Sequence, residues 1–496
     1  MKQADICMIL EGTYPYVHGG VSAWVHQLII NQPDLTFFLI CILPQGFNPV
    51  KCFELPPNVT GIKHITLAKI DALPNPLGLP RRKFHRFFKR TTPLLLKQVS
   101  QKADVHDFRK IVNQFRHYRR KLDEKILLSS PPAWNQLLEI YSQTMPEISF
   151  IDFFWSWRTL VGGMFSMLVP ELPDVRCFHT VCTGYAGLIM ARAKHELDAP
   201  CILTEHGIYT SERRFEIAFA EWLIDQKSFS MSVNKSHNNY ELRDLWTDFF
   251  VQYGQFCYSS ADAVISLFRD NMQIQIEAGA PPEKCKVIPN GIDLKRYGNI
   301  PPSYGHLSTI AFIGRIVPIK DVKTYIRAVA ILRRNISDLK AYIIGGYDED
   351  PDYYEECLEL IRTEELEKVI ILTGKVDIVD YLPQIDVVVL SSISEAQPLV
   401  ILEAGAAGIP SVATNVGACR EMLEGAENDD FGPGGIVVPL ASPAPMADAL
   451  FKLLSDEQFY ARCSGAIKQR VEKYYSSEDQ HRAYRELYTQ IMKLKD

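Results

Sequence analysis

The chain has 496 residues, of which 47% are hydrophobic and 23% charged, a globular composition that excludes disordered and fibrous classes. This length predicts two to four domains, with two large ones as the simplest case. The formal net charge of −6, from 53 basic and 59 acidic residues, argues against a nucleic-acid partner.

Short β-branched segments alternate with longer amphipathic segments along the whole chain, and this alternation predicts strands that are separated by helices. Residues 21–30 carry apolar side chains at helical spacing and predict the first helix. Strands are predicted at residues 4–10, 35–43, 176–180, 200–204, 263–266, 286–288, 308–313, 340–344, 369–373, 387–390, 410–413 and 435–438.

This pattern predicts an α/β protein with two Rossmann-like domains, whose parallel sheets are covered by helices and face a central cleft. Prolines and glycines cluster near 289–304, where the periodicity disappears, so we predict the domain break there. The predicted domains are 1–298 and 299–473. We predict that residues 474–496 form a C-terminal helix that crosses back to the first domain.

The segment 81–125 departs from this alternation because it carries fifteen Lys or Arg residues against four Asp or Glu. Phe84, Phe87 and Phe88 are interleaved with the basic residues. One interpretation is a solvated helical excursion from the first domain. The other is a docking face for an acidic membrane surface or a membrane-bound partner.

Cysteines and hydropathy indicate the compartment. The eleven cysteines are scattered and form no CxxC pair, which is typical of buried thiols in a reducing cytosol and argues against structural zinc. The longest apolar run, residues 37–43, is far shorter than the roughly 20 residues that span a bilayer. Asp5 interrupts the N-terminal segment, which has no signal-peptide pattern. We therefore expect a cytoplasmic protein.

Two glutamates flank a predicted helix start in the segment 391–408. Glu395 lies in the loop after the strand at 387–390, and Glu403 lies inside the helix, for which Pro398 suits the first position. Backbone N–H groups and the positive helix end suit sugar hydroxyls and phosphate oxygens at this sheet edge. The plainer alternative is two surface glutamates beside a helix N-terminus.

Two basic residues follow another predicted strand of the same domain. The strand at 308–313 ends at Gly314, and Arg315 and Lys320 stand five residues apart before the next helix. An Arg fork and a Lys point charge suit a diphosphate, although two exposed basic residues in a loop remain an alternative. We expect them to face the same cleft as the two glutamates.

Two motifs of the first domain also follow predicted strands. Gly19-Gly20 lies between the first strand and the first helix, where paired glycines let the backbone approach a ligand closely. The pair is not a GxGxxG motif, so no nicotinamide cofactor is predicted. His206 follows the strand at 200–204 and is placed to hydrogen-bond a substrate hydroxyl or phosphate. The plainer alternatives are a tight turn at Gly19-Gly20 and a helix-capping role for His206.

Together, Glu395-x7-Glu403, Gly314-Arg315-x4-Lys320, the PNGID segment 289–293 and Gly19-Gly20 resemble the retaining family 4 glycosyltransferases of the GT-B fold. Segments 11–29, 204–214 and 314–329 are also similar to the cytosolic glycosyltransferases of Pel exopolysaccharide synthesis. The resemblance implies a UDP-sugar donor, a hexose or N-acetylhexosamine, that is bound mainly by the C-terminal domain. It implies a growing polysaccharide as acceptor, bound mainly by the N-terminal domain.

The resemblance also implies a role for each motif residue. Arg315 and Lys320 would neutralise the donor diphosphate, Glu403 would accept hydrogen bonds from the ribose, and Glu395 would contact the donor sugar. His206 and Gly19-Gly20 would line the sugar and acceptor side. Residues that would line the donor are Gly314, Ala396, Gln397, Pro398 and Leu399.

The loop after Glu395 departs from those relatives. Many of them have Gly-Phe-Gly after the first glutamate, where this chain has Ala396-Gln397-Pro398, and Pro398 has no N–H to donate.

The resemblance implies no metal and no cofactor besides the donor substrate. It also implies an inner-membrane export complex as a partner that recruits the enzyme to the inner face of the membrane. Two other functions stay open at this point. A nucleotide-sugar 2-epimerase has the same two-domain architecture, and a non-catalytic nucleotide-sugar-binding module would need the same binding residues.

Overall fold

The structure is a computed structural model that describes residues 4–67, 69, 82–220, 223, 241–301, 307–426 and 429–493. The chain divides into two compact units. The first comprises Met1–Ser266, Met272–Lys286 and Arg485–Asp496, and the second comprises Leu267–Asn271 and Val287–Tyr484. The segment that follows Val287 groups with the second unit because Ile292 forms a parallel bridge with Ser476.

The first unit contains a parallel sheet with the strand order β3-β2-β1-β4-β5-β6-β7. Its strands are β1 (Ala4–Glu11), β2 (Phe37–Leu43), β3 (Val59–Thr66), β4 (Val175–Thr180), β5 (Cys201–Glu205), β6 (Ala263–Ser266) and β7 (Cys285–Val287). The sequence did not predict β3. It is an edge strand whose half-exposed residues include Gly61 and Lys63, so it lacks the continuous apolar run of the central strands.

Helices cover this sheet, and several of them lie between β3 and β4. The helices up to residue 277 are α1 (Gly20–Ile30), α2 (Arg82–Val99), α3 (Val105–Tyr118), α4 (Glu124–Ser129), α5 (Pro131–Thr144), α6 (Phe150–Leu168), α7 (Tyr185–Leu197), α8 (Tyr209–Ala218), α9 (Leu242–Ser260) and α10 (Arg269–Glu277). Most of the segment 81–125 is therefore helical, as expected, while Arg81 lies outside the described residues.

The phenylalanines of that basic segment do not form part of an exposed docking face. Phe87 and Phe88 are buried in the hydrophobic core of the first unit, and Phe84 packs against it. Their burial follows from helical spacing, which turns them away from the exposed residues Arg86 and Lys89. The surface of α2 is thus basic and the apolar side chains belong to the core.

The second unit contains a parallel sheet with the strand order β10-β9-β8-β11-β12-β13. Its strands are β8 (Thr309–Ile313), β9 (Lys340–Ile344), β10 (Ile370–Gly374), β11 (Val387–Leu390), β12 (Ser411–Thr414) and β13 (Gly435–Val438), which confirms the predicted strands of this part. Alternate residues of β11 enter different core clusters. Val387 and Val389 pack on one side, and Val388 and Leu390 pack on the other.

Helices therefore cover both faces of the second sheet. From residue 294 onward they are α11 (Leu294–Tyr297), α12 (Val322–Leu332), α13 (Pro351–Thr363), α14 (Leu399–Ala406), α15 (Cys419–Glu424), α16 (Pro443–Ser455), α17 (Glu457–Tyr474) and α18 (Ser477–Met492). Helix α18 begins in the second unit and ends in the first. Residues 494–496 of the predicted C-terminal helix lie outside the described residues.

In each sheet the strand order reverses beside a central strand, between β1 and β4 and between β8 and β11. At such a switch point the connections leave the carboxyl ends of the two strands in opposite directions and open a crevice for ligands. Gly19-Gly20 follows β1, and Gly314 and Ser391 follow β8 and β11 directly. Gly19-Gly20 and the motifs that begin at Gly314 and Ser391 therefore lie at the switch points, whereas His206 follows β5.

Within the described ranges, no helix combines the length and the apolar character needed to cross a bilayer.

Candidate functional site

Lys320 and Glu395 form an ion pair that joins the loops after β8 and β11. The ammonium of Lys320 lies 2.5 Å from Oε1 of Glu395, and the two side chains are only 21% and 14% exposed. Ser392 donates its hydroxyl to the same carboxylate oxygen at 2.6 Å. Ser391 donates to the backbone carbonyl of Lys320 at 2.9 Å. The structure therefore brings together one predicted cation and one predicted acid at the switch point.

Arg315, the second predicted cation, pairs with a carboxylate that the sequence analysis did not assign to the site. Its guanidinium donates to both oxygens of Glu349, at 2.6 and 2.5 Å, and the side chain is 59% exposed. An exposed ion pair contributes about 0–1 kcal/mol. A bound diphosphate would therefore compete readily with Glu349 for the Arg315 guanidinium.

Gly345, directly after β9, allows the loop after β8 to lie close to the end of β9. A Cβ on Gly345 would lie 1.9 Å from the backbone oxygen of Gly314, so a larger residue would push the two chain segments apart. Ile316 donates its N–H to the carbonyl of Gly346 at 2.9 Å. This close approach brings Glu349, which follows β9, within reach of Arg315.

Glu403, the second predicted acid, lies in α14 and contacts α11 instead of Lys320. Tyr297 donates its hydroxyl to Oε1 of Glu403 at 3.4 Å. Burial raises the pKa of Glu403, and the Tyr297 hydroxyl and the Arg296 guanidinium partly oppose this rise. Arg296 lies over the Tyr297 ring and forms a forked ion pair with Asp377 at 2.9 and 2.7 Å. The carboxylate of Glu403 is thus poorly satisfied and suited to accept ligand hydroxyls.

The loop between the two glutamates makes internal contacts. The carbonyl of Ala396 accepts a hydrogen bond from the N–H of Ala418 at 2.7 Å. Gln397 is buried, and its Oε1 accepts from the N–H of Asn290 at 2.7 Å. Helix α14 begins at Leu399, one residue later than predicted, because Pro398 has extended dihedrals and occupies the N-cap. The Gln397 side chain therefore holds the PNGID segment, and Leu399, the first residue of α14, is exposed.

In the first unit, Gly19 is the N-cap of α1 and Gly20 is its first residue. A Cβ on either glycine would meet no atom within 4 Å, so the space in front of this backbone is open. Trp24, one turn further along α1, packs edge-to-face on His206 with ring centroids 4.5 Å apart. Two predicted motifs, distant in sequence, therefore share one edge of the first sheet.

His206 has a buried nitrogen without a partner. Its Nε2 is inaccessible to solvent and lacks a hydrogen-bond partner among the described residues. Burial lowers the pKa of His206 to about 4, so the imidazole is neutral at physiological pH. A neutral imidazole exchanges hydrogen bonds with hydroxyl groups and carries no positive charge to bind a phosphate.

The structure adds residues that the sequence analysis missed: Glu349, Ser392, Tyr297 and Trp24. Ser392 is three residues before Glu395, and Tyr297 is four residues after the PNGID segment. Their closeness to the motifs in the sequence could therefore have indicated that they belong to the site. Glu349 carried no such signal, because its pairing with Arg315 depends on the contact between the ends of β8 and β9. In the described part of the chain, no group of three or more His, Cys, Asp or Glu side chains is arranged to hold a metal ion.

Two family models match separate parts of the chain. The family model described as "Domain of unknown function (DUF3492)" matches residues 4–283, and the model described as "Glycosyl transferases group 1" matches residues 308–456. Because the first model matches more than half of the sequence, the chain belongs to the DUF3492 family. The region with Arg315, Lys320, Glu395 and Glu403 falls within the match to glycosyl transferases group 1.

One curated relative is the D-inositol 3-phosphate glycosyltransferase of Kineococcus radiotolerans, which is 33% identical over 197 residues. The match covers 36% of this chain and 45% of that protein, so the chain spans about half the length of this relative.

Two solved structures match almost completely. Sucrose-phosphate synthase from Thermosynechococcus elongatus has a TM-score of 0.58 at 15% identity, and the match covers 98% of this chain and 99% of that one. Anabaena Alr3699/HepE in complex with UDP has a TM-score of 0.58 at 13% identity, over 98% and 100% of the two chains. These matches confirm the predicted fold, which is the GT-B architecture of two parallel-sheet α/β domains.

Proposed function

We propose that this protein is a glycosyltransferase that moves a sugar from a nucleotide-sugar donor to a saccharide acceptor. The observation that carries the proposal is the Lys320–Glu395 pair at the switch point of the second sheet. It places a cation and a hydroxyl acceptor side by side within a glycosyl transferases group 1 region. A donor sugar linked to a diphosphate presents the complementary groups, which are the phosphate oxygens for Lys320 and the sugar hydroxyls for Glu395.

The chemistry of transfer assigns a role to each charge. Glycosyl transfer passes through an oxocarbenium-like state while negative charge builds on the leaving diphosphate. Lys320 and Arg315 stabilise that charge, which lowers the transition state more than the ground state. Glu395 exchanges its partner Lys320 for a sugar hydroxyl, and Glu403 accepts hydrogen bonds from the ribose. His206, neutral and buried, binds a hydroxyl on the sugar or acceptor.

The sequence resemblance and the relatives support a more specific donor, acceptor and stereochemistry. The solved HepE complex contains UDP, which supports a UDP-sugar donor here. We propose a hexose or N-acetylhexosamine, transferred with retention by departure and attack on one face. The acceptor is a growing exopolysaccharide of the Pel type. In this proposal the two basic side chains supply the positive charge that a divalent cation would otherwise provide.

We also propose that a partner in an inner-membrane export complex recruits the enzyme from the cytoplasm. The exposed basic residues of α2 and α3, such as Arg86, Lys89 and Arg109, support a contact with an acidic surface.

The test of this function is incubation of the purified chain with a panel of nucleotide sugars, followed by release of the free nucleotide. We expect slow release from one donor alone and faster release when saccharide acceptors are added. An epimerase would instead convert the donor sugar without releasing nucleotide, as NMR of the recovered donor would show. Tight donor binding without turnover would favour a binding module and contradict the proposal.

Replacing Gly417 with alanine should disturb the Glu395 loop from outside the site. Gly417 has φ +50°, and a Cβ there would lie 2.1 Å from the carbonyl oxygen of Ala396 and 2.3 Å from that of Glu395. The loop must move, and we expect donor turnover to fall about tenfold, since small misplacements of catalytic groups are costly. Nucleotide release measures the effect.

Gly432→Ala is the matched control for this variant. Gly432 also has a positive φ, +81°, but a Cβ there meets no atom within 4 Å. Both variants bear the backbone strain of about 1–2 kcal/mol, and only Gly417→Ala bears the clash. Equal turnover in the two variants would show that the position of the Glu395 loop does not limit the reaction.

A further inference from the structure

An exposed aromatic surface lies beside Gly19-Gly20, at the carboxyl edge of the first sheet. We call it the aromatic surface and define it by the exposed or partly exposed residues Val17, His18, Phe47, Val50, Phe53 and His64. We propose that the aromatic surface binds the acceptor as an uncharged chain of more than one sugar. This inference rests on the proposed function and specifies its acceptor.

Two clusters of rings build this surface. The Phe53 ring centroid lies 5.4 Å from that of Tyr14, 5.3 Å from that of His18 and 5.1 Å from that of His26. Tyr14 is fully buried and donates or accepts a hydrogen bond with Nδ1 of His26 at 3.1 Å. A buried tyrosine thus supports rings that reach the solvent.

The second cluster is built in the same way around Tyr16. This tyrosine is 6% exposed, and its hydroxyl lies 2.5 Å from Nε2 of His64. Its ring is also in edge contact with Phe47, at 6.3 Å between centroids. Because each buried tyrosine positions exposed rings, the surface is ordered before a ligand arrives.

Hydrogen bonds tie the two loops of the surface together. The N–H of Cys52 donates to the carbonyl of Pro15 at 2.8 Å, and the Cys52 thiol donates to the carbonyl of Tyr16 at 3.1 Å. These contacts hold the loop after β2 against the loop after β1, while His64 extends the surface onto β3. Adjacent strands are about 4.8 Å apart, so three strand ends span about 10 Å, which is longer than one sugar ring.

Exposure identifies these side chains as a contact surface. Val17 is 41% exposed, Phe47 38% and Val50 68%, although apolar side chains of this size are usually buried. Exposed apolar groups that lie together mark ligand or partner sites. A pyranose ring offers C–H groups on its faces, which pack on aromatic rings, and hydroxyls at its edge. His18 and His64 are placed among these rings to exchange hydrogen bonds with such hydroxyls.

The charge pattern selects an uncharged ligand. Neither residues 12–33 nor residues 44–50 contain an Asp, Glu, Lys or Arg, in a chain where 23% of residues are charged. Burial lowers the pKa of His26, which disfavours its charged form. Lys51 and Glu54, in the loop between β2 and β3, carry opposite charges. A phosphorylated ligand or an anionic lipid surface would need cations that these two stretches lack.

The test compares Phe47→Ala and His18→Ala with the control Phe451→Ala. Phe451 lies on α16 and matches Phe47 in residue type and in exposure, at 41%. The probes are neutral hexose and N-acetylhexosamine oligomers, with a phosphorylated sugar as the charged arm. Saturation-transfer NMR measures their binding, and nucleotide release measures their stimulation of turnover. We expect the first two variants to bind the oligomers about tenfold more weakly, with unchanged donor hydrolysis, since exposed aromatic contacts contribute over 1 kcal/mol.

Each other outcome overturns the inference. Wild-type binding by all three variants, no binding of neutral oligomers to the wild type, or preference for the phosphorylated sugar would each do so. Failure of the proposed function is separate and visible in the same experiment, because the wild type would then release no nucleotide from any donor. The NMR measurement still decides whether the aromatic surface binds saccharide.

Discussion

Lys320→Ala is expected to release nucleotide on the order of 10²–10³-fold more slowly than the wild type, the cost of removing one preorganised electrostatic group. The Lys320 side chain is only 21% exposed and its ammonium is held by Glu395, so the charge is already oriented and partly desolvated. A positive charge held in this way interacts strongly with the negative charge that develops on the leaving diphosphate. Initial rates of nucleotide release at saturating donor measure the effect.

Lys323→Ala is the control for this variant. Lys323 lies one turn away in α12 and is likewise paired with a glutamate, Glu356, so the substitution removes a comparable ion pair at a different place. We expect near wild-type rates from it. The thermal midpoint of both variants shows whether they remain folded. If folded Lys320→Ala were as fast as Lys323→Ala, Lys320 would have no part in the reaction.

Glu403→Gln is expected to bind UDP about 10²-fold more weakly than the wild type. Hydrogen bonds to a charged group contribute about 1.5–3 kcal/mol each, and a ribose offers two hydroxyls to this carboxylate. Because burial raises the pKa of Glu403, protonation of the carboxylate persists to higher pH than for an exposed glutamate. The affinity of the wild type for UDP should therefore increase as pH rises through this raised pKa. Because glutamine does not titrate, Glu403→Gln should lack this part of the pH dependence. Calorimetry across pH measures both.

Stability distinguishes a binding defect from unfolding in this variant. A carboxyl group whose pKa is raised by folding favours the folded state when protonated, and this contribution is lost as pH rises through the folded pKa. At neutral pH the wild type bears the cost of a buried charge, so Glu403→Gln should be at least as stable. Glu424→Gln, at a surface ion pair with Arg420, is the control. Wild-type UDP affinity in Glu403→Gln would contradict the ribose role.

The contrast between β11 and β3 shows which elements local pattern can predict. Val387–Leu390 is a continuous apolar run that is buried on both faces, so composition alone identifies it. Val59–Thr66 mixes Gly61, Lys63 and His64 with apolar residues because it lies at the sheet edge, and it was missed. The basic segment shows a different limit. One of its two interpretations was a docking face in which phenylalanines are interleaved with basic residues, whereas Phe87 and Phe88 complete the core of the first unit.

The sequence by itself determined that this chain is an α/β protein with two parallel sheets and that charged motifs follow particular strands. Strand periodicity, helix spacing and loop composition are local properties, so they can be read without coordinates. Only the tertiary structure decided which motif residues meet. Lys320 pairs with Glu395, Arg315 pairs with Glu349, and Glu403 contacts Tyr297. These partners are set by strand order and by glycine-permitted contacts between distant loops, which no local pattern encodes.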